Sequence, residues 1–572
     1  MLETNLLYYG DNLDILRKDI PDESVDLIYL DPPFNSERNY NVIFKNESGR
    51  NTDAQLVAFE DTWHWGPNAE LIYAYLTNTM RHEGRVPDQV STLIAALRKG
   101  IGENQMMAYL VEMTARLVEL RRKLKSAGSL YLHCDPTASH YLKIILDSIF
   151  GSERFGSEIV WRRTGAHSDT KQGRRIHGHV HDILLFYTKG AEWTWNPIYT
   201  PYDPAYVAQF YRHVEPGTGR LYRVDNLSAA KPGGDTSYEW HGVKPYKGRY
   251  WAFSKANMEK FEREGRLIYS KSGMPQYKRY LDEMPGVPLQ DMWTDMPSLG
   301  SGSSERLGYP TQKPVALLER IIKTSSNPGD VVLDPFCGCG TALVAAQKLG
   351  RRWVGIDITY LAIAVMKARL KDIFGLEDVN VLGQPTEVEG ARALAQSPEG
   401  RYQFQWWALN LVDAQPVGGK EKKGADRGID GVITFTDRHG VLQTVLVSVK
   451  SGHVNPGMVN ELRGTIEGEK AVIGLFITLE EPTKNMRMVA DTAGVFHSEV
   501  WNKDYPKLQI LTIRELLEEG RKPQLPPFVM PTYQQAPKVI TDADQPGLFD
   551  APVRLKKVAE PQPHEYTAEN DS

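Results

Sequence analysis

Residues 331–357, VVLDPFCGCGTALVAAQKLGRRWVGID, constrain the fold more than any other stretch of the 572-residue chain. An apolar run ends at Asp334, glycines follow at 338 and 340, and a helical run opens at Thr341. Glycine lets the backbone turn tightly and approach a ligand closely, and the helix that follows aims its free N–H groups at the same point. A second strand-like run ends at Asp357, whose carboxylate can accept hydrogen bonds from ribose hydroxyls. Strand, glycine turn, helix, strand and acid together predict a parallel sheet holding a nucleotide-like cofactor. Asp334, Phe336, Gly338, Gly340, Thr341 and Asp357 are its candidate contacts. The turn lacks the third glycine of the dinucleotide fingerprint, so NAD and FAD fit less well.

Alternation of strand and helix runs through much of the first 375 residues and predicts an α/β class. LLYYG, VDLIYL and SLYLHCD read as strands, while DNLDILRKDI and HYLKIILDSIF read as helices. Between them, residues 104–127 carry apolar side chains at helical spacing, with Gly128 expected to stop the helix. EIVWRRT and DILLFYTK are expected at the far edge of the sheet. Residues 35–103 form an insertion, and residues 190–300, rich in Tyr, Trp, Pro and Gly, are expected as a separate recognition region. A linker over 376–400, a third compact unit over 401–520 and a disordered tail over 521–572 complete the division.

The first strand-like run to end on an acid does so at Asp31, in Asp31-Pro32-Pro33-Phe34. Such a turn suits an exocyclic amine: Asp31 can accept one amino hydrogen and the Pro32 carbonyl another. Pro32 and Pro33 stiffen the loop without adding donors, and Phe34 offers a stacking face to a flipped base. By itself the string reads equally well as a strand-ending turn. A net charge of −5 argues against a nucleic-acid partner, but Arg162, Arg163, Arg174 and Arg175 form a local basic stretch suited to phosphates. Three cysteines, two of them inside the glycine turn, build no disulfide framework. With no signal peptide and no apolar membrane span, the expected compartment is cytoplasmic.

DPFCGCGT resembles the S-adenosyl-L-methionine-binding motif of DNA amino-methyltransferases, and Thr311-Gln312-Lys313-Pro314 resembles the motif that precedes it. With DPPF upstream, the order is that of the beta class, which includes adenine methyltransferases and the modification subunits of type III restriction systems. The resemblance covers residues 1 to 375 apart from the insertion and recognition regions. It implies a circularly permuted Rossmann-like sheet, S-adenosyl-L-methionine as cofactor and double-stranded DNA as substrate. Gln312 and Lys313 are then expected at the cofactor site. It also places Asp11, with Asn12, near the cofactor's adenine; capping of the following helix is the equally good local reading. Asp at position 31 implies methylation of adenine N6, with cytosine N4 as the alternative. A type III-like system implies a separate restriction or helicase subunit, and a homodimer is compatible with it.

Residues 424–452 resemble the Mrr-like PD-(D/E)xK endonucleases, with Asp430 as a Mg²⁺ ligand and Lys450 positioning water. Ser448 departs from that pattern, because it stands where a second carboxylate ligand is expected. A restriction-endonuclease-like fold is expected. Cleavage stays open, against an inactive DNA-binding or partner-docking module, and so does a single chain that both methylates and cuts. In the tail, Gln545-Pro546-Gly547-Leu548-Phe549 resembles the peptides that dock on the bacterial sliding clamp.

Overall fold

The computed structural model describes residues 2–33, 39–45, 51–60, 64–165, 175, 177–231, 233, 235–300, 302–307, 309, 311–396, 398–417, 428–437 and 441–527. Phe34, Arg174 and the segment 545–549 lie outside them. No helix of the described residues is long and apolar enough to cross a membrane.

A nine-stranded sheet organises the larger part of the chain. Its strands are β1 (Leu6–Tyr9), β2 (Val25–Leu30), β3 (Leu124–Cys134), β4 (Phe155–Arg162), β5 (His181–Thr188), β6 (Met292–Trp293), β7 (Val331–Asp334), β8 (Arg352–Asp357) and β9 (Asn380–Leu382). In space they run β6-β4-β5-β3-β2-β7-β8-β1-β9. The strands from β3 to β9 along this order pair in parallel, and β5 is antiparallel to both its neighbours. Both faces are covered, which is why VDLIYL in β2 is a nearly unbroken apolar run. Ile28 and Leu30 point into one layer and Leu27 and Tyr29 into the other. Burial of each such side chain stabilises the sheet by about 1.5–3 kcal/mol.

The helices that cover these layers include α1 (Asn12–Lys18), α2 (Pro67–Thr77, in the insertion), α3 (Gln105–Lys123), α4 (Pro136–Phe150), α5 (Val315–Ser325), α6 (Thr341–Lys348) and α7 (Tyr360–Phe374). Helix α3 is capped by the Asn104 side chain, which accepts from the Met107 N–H at 2.9 Å, and it is buried over most of its circumference.

Three expectations need correction. Gly128 does not stop α3: the helix ends at Lys123 and β3 begins at Leu124. Gly128 instead sits where β3 bulges against β2, and a Cβ there would lie 3.1 Å from the Asp26 carbonyl and 2.9 Å from Leu124 Cδ2. The recognition region is not wholly separate from the sheet. It contains its own four-stranded sheet (Leu267–Tyr269, Pro275–Tyr280, Leu221–Asn226 and His213–Val214) but returns β6 to pair in parallel with β4. The Trp161 indole N–H donates to the Met296 carbonyl at 2.6 Å, which fastens that return. Residues 376–400 are structured rather than a plain linker. They supply β9 at the sheet edge and helix α8 (Val388–Leu394), and they begin α9 (Pro398–Asn410).

The third unit is a five-stranded sheet ordered β10 (Gln415–Pro416), β11 (Gly431–Asp437), β12 (Val441–Lys450), β13 (Ile473–Thr478) and β14 (Leu508–Thr512). β11 and β12 are antiparallel, while β12, β13 and β14 are parallel. Tyr360 at the start of α7 packs into this unit's core, stacks on Tyr9 at 3.7 Å and donates its backbone N–H to Gln403 Oε1 at 3.3 Å.

Candidate active site

Four neighbouring strands, β2, β7, β8 and β1, deliver their carboxyl ends side by side, the place where open α/β sheets bind ligands. Asp31, Asp334, Asp357 and Gly10-Asp11 stand at or just beyond those ends. Residues far apart in sequence thus line one cavity of about 300 Å³, with Asn12, Gln312, Lys313, Phe336, Gly338 and Thr341 also in its wall.

The floor is the glycine turn. Gly338 and Gly340 have φ of +48° and +74°. An added Cβ at 338 would lie 3.3 Å from the Tyr309 ring and at 340 only 2.7 Å from Met366 Cγ. The turn is held from below by Asp357, whose Oδ2 accepts the Gly338 N–H at 2.9 Å while Oδ1 accepts the Thr359 N–H and hydroxyl, both at 2.9 Å. A carboxylate offers about four acceptor positions, and the Ile358 N–H is turned to the same group, so Asp357 is spent largely on holding the turn. Thr341 turns inward, where its hydroxyl accepts from Arg369 at 3.1 Å. Gln312 likewise spends its amide on the chain, donating to the Glu305 carbonyl at 2.7 Å and accepting the Leu307 N–H at 2.8 Å. Gln312 therefore shapes the pocket through its loop, and Thr341 through Arg369 on α7. Burial, reinforced by the charges of Asp31 and Asp357, holds the Asp334 carboxyl well above the usual carboxylate range.

At the mouth, Lys313 Nζ donates to Asp31 Oδ2 at 2.5 Å, with the two side chains 12% and 14% exposed. The other oxygen, Oδ1, is buried and accepts no hydrogen bond among the described residues. A buried carboxylate oxygen without a donor is costly, by about 1–3 kcal/mol, and it suits a ligand that brings an N–H. Pro32 is buried and Pro33 lines the cavity beside Asp31.

The cavity wall carries five carboxylates (Asp11, Asp31, Glu112, Asp334 and Asp357) against two cations, Arg116 and Lys313. Even with Asp334 neutral the balance is negative. That field repels a pyrophosphate and attracts a cationic ligand such as a sulfonium. The donor set therefore fits the nucleoside sulfonium cofactor that the motifs imply, and disfavours a dinucleotide.

Asp11 caps α1, accepting the Leu13 N–H at 2.7 Å, and also accepts from Arg116 at 2.9 Å. Asn12 is buried and donates to the Pro335 carbonyl at 2.8 Å. Sequence reasoning missed Asn68, Glu112, Arg116 and Tyr309, all in the wall. A signal existed for two of them: Glu112 and Arg116 are charges four residues apart in a run otherwise read as apolar. Arg162 is exposed, Arg163 pairs with the buried Asp182 at 3.4 Å, and Arg175 is exposed.

In the third unit Asp430, Ser448 and Lys450 do come together, but the carboxylate is consumed by the protein. Gln405 donates to Asp430 Oδ1 at 2.8 Å. Oδ2 accepts from the Val449 N–H at 2.6 Å and the Ser448 hydroxyl at 3.3 Å, with Lys450 Nζ at 3.6 Å. Among the described residues no group of three or more His, Cys, Asp or Glu side chains could hold a metal. Asp430 thus holds three protein hydrogen bonds beside Lys450, and Ser448 brings no second carboxylate to the site.

Residues 409–518 match a family model described as NACHT-associated inactive Restriction Endonuclease 1. Among curated proteins, the chain is 34% identical to type II methyltransferase M.EcaI of Enterobacter cloacae over 46% of this chain and 57% of that one. It is 26% identical to the StyLTI Mod subunit, a type III restriction-modification enzyme of Salmonella typhimurium, over 60% and 50%. It is also 24% identical to the DNA adenine methyltransferase YhdJ of Escherichia coli over 66% and 87%. The chain spans about half the length of the first two of these relatives. A solved M1.HpyAVI–SAM complex overlaps at 14% identity and a TM-score of 0.28, covering 63% of this chain and 97% of that chain. Residues 25–366, more than half of the chain, match the DNA methylase family model, and the chain belongs to that family.

Proposed function

We propose that the chain is an S-adenosyl-L-methionine-dependent methyltransferase acting on the exocyclic N6 amine of adenine in DNA, in a restriction-modification or related defence setting. The observation that carries this reading is the buried Oδ1 of Asp31, without a donor among the described residues, at the mouth of a negatively charged cavity floored by a glycine turn. Bound S-adenosyl-L-methionine supplies an electrophilic methyl group. Asp31 Oδ1 accepts one amino hydrogen of the flipped base, and Lys313 keeps the carboxylate fixed through Oδ2. The Pro32 carbonyl is the second acceptor. Two acceptors hold the amino nitrogen in line with the methyl group, which is mainly a gain in orientation. Asp at position 31 and the adenine-specific name of one relative support adenine over cytosine. The motif order, with the amine-site strand β2 ahead of the cofactor strand β7, supports a circularly permuted sheet. Similarity to a Mod subunit supports a separate restriction partner.

The third unit reads best as a restriction-endonuclease-like module that binds without cutting. Its match to an inactive endonuclease model and the hydroxyl of Ser448 where a second carboxylate ligand is expected both favour this.

Incubation of the purified chain with S-adenosyl-L-methionine and mixed-sequence duplex DNA, followed by nucleoside mass spectrometry, tests the proposal. N6-methyladenine is expected from the wild type, and at an initial rate about 10²–10³ lower from Asp31→Ala. N4-methylcytosine in its place would overturn the adenine assignment, and no methylated base at all would overturn the activity.

A further inference from the structure

One wall of the cavity is a polar chain, buried through Glu112, Arg116 and Asn12, that the motifs do not account for. Asn68, at the start of α2 in the insertion, donates its amide to Glu112 Oε1 at 2.7 Å. Glu112 Oε2 accepts from Arg116 Nη1 at 2.7 Å, one turn along α3, and the two side chains are 6% and 7% exposed. Arg116 then donates through Nε to Asn12 Oδ1 at 2.6 Å and through Nη2 to Asp11 Oδ2 at 2.9 Å. Asn12 closes the chain on the Pro335 carbonyl, next to the glycine turn.

Burying an ion pair in a helix that could pack with apolar residues is at best neutral for stability. This one reaches every polar member of the β1–α1 turn that faces the cavity. We infer that Asn68, Glu112 and Arg116 are positioning residues for the cofactor: the insertion fixes Glu112, Glu112 orients the guanidinium, and the guanidinium sets Asp11 and Asn12 against the ligand. The inference rests on the reading of this cavity as the S-adenosyl-L-methionine site. Asp11 accepts one bond on each oxygen, so it keeps acceptor positions for a ligand N–H. With Arg116 loose, the Asp11 side chain, which is 42% exposed, is free to rotate into solvent. Binding then has to restore an orientation that the intact chain supplies in advance.

Asn68→Ala is the sharpest probe, because it removes one bond at the exposed end of the chain without opening the core. Titration calorimetry with S-adenosyl-L-methionine, the cofactor-free melting temperature and steady-state kinetics are measured together on the full chain. Loss of one hydrogen bond from the exposed Asn68 predicts cofactor binding weakened about 2- to 12-fold. KM for the cofactor should rise in parallel, while kcat at saturation, KM for DNA and the cofactor-free melting temperature hardly move. Arg116→Lys, which cannot reach Glu112, Asn12 and Asp11 together, should weaken binding further. Wild-type affinity in Asn68→Ala while the wild type binds the cofactor would overturn this inference alone. A loss of affinity matched by a lower cofactor-free melting temperature would also overturn it. A wild-type chain that binds no S-adenosyl-L-methionine would overturn the reading of the cavity and this inference with it.

Discussion

Replacing Asp31 with alanine separates the two duties of this carboxylate. Oδ2 holds Lys313 at 2.5 Å, and Oδ1 is buried with no donor among the described residues. Losing the Lys313 bond removes about 1.5–3 kcal/mol, as for hydrogen bonds to charged groups. Removing Oδ1 relieves a buried unsatisfied acceptor that costs about 1–3 kcal/mol. The two contributions are similar and opposed, so folding stability should change by no more than about 2 kcal/mol, under roughly 8 °C in melting temperature at the 2–4 °C per kcal/mol typical of domains of about 150–250 residues. Catalysis has no such offset. Deleting one preorganised group that acts on the reacting atom lowers turnover by about 10²–10³, equivalent to 2.7–4 kcal/mol. Differential scanning fluorimetry and single-turnover methylation on the same preparation give both quantities. Activity within about tenfold of wild type would refute the assigned role, since that is under 1.4 kcal/mol. A melting temperature lowered by more than about 10 °C would refute the balance of the two stability contributions.

Gly340→Ala should abolish cofactor binding, because the residue has φ of +74° and an added Cβ would meet Met366 Cγ at 2.7 Å. Gly350→Ala is the matched control: φ is +68° with nothing within 4 Å, so it should cost only the backbone strain of about 1–2 kcal/mol and leave affinity intact. In the recognition region, the hydrogen bond from Arg266, helped by a weaker one from Arg220, pulls the Glu283 carboxyl down to about 2 against the opposing effect of burial. Its contribution to stability should therefore be present above the ordinary Glu range, near pH 4.5, and fade only as pH falls toward 2. Carboxyl-carbon NMR of Glu283 checks this, and Arg266→Met should raise the midpoint. The full chain with Mg²⁺ should leave supercoiled plasmid intact; nicking that disappears on Asp430→Ala would refute a non-cutting third unit.

Some features were legible because they depend on near neighbours. The glycines at 338 and 340 announce a turn through their own backbone freedom, and VDLIYL announces a strand buried on both faces. The end of α3 was less legible: apolar periodicity continues through Leu124, and only the close passage of β3 beside Asp26 shows why Gly128 belongs to a strand. Met292 and Trp293 resemble the aromatic recognition region in composition, so nothing local signalled their place in the main sheet.

For this protein the sequence by itself determined the α/β class and the two strand-ending acidic motifs, because sterics and hydrophobic period act within a few residues. Tertiary structure alone decided how the polar groups at the site are spent. Gln312 and Thr341 face loops and Arg369 rather than open space. Asp430 is engaged by Gln405, Ser448 and Val449. Asn68 reaches the cavity through Glu112 and Arg116, across 44 and then 105 residues of chain to Asp11. A buried polar atom takes whichever partner the packed chain brings within 3 Å, and that distance is set by the assembled sheet and not by the residues beside it.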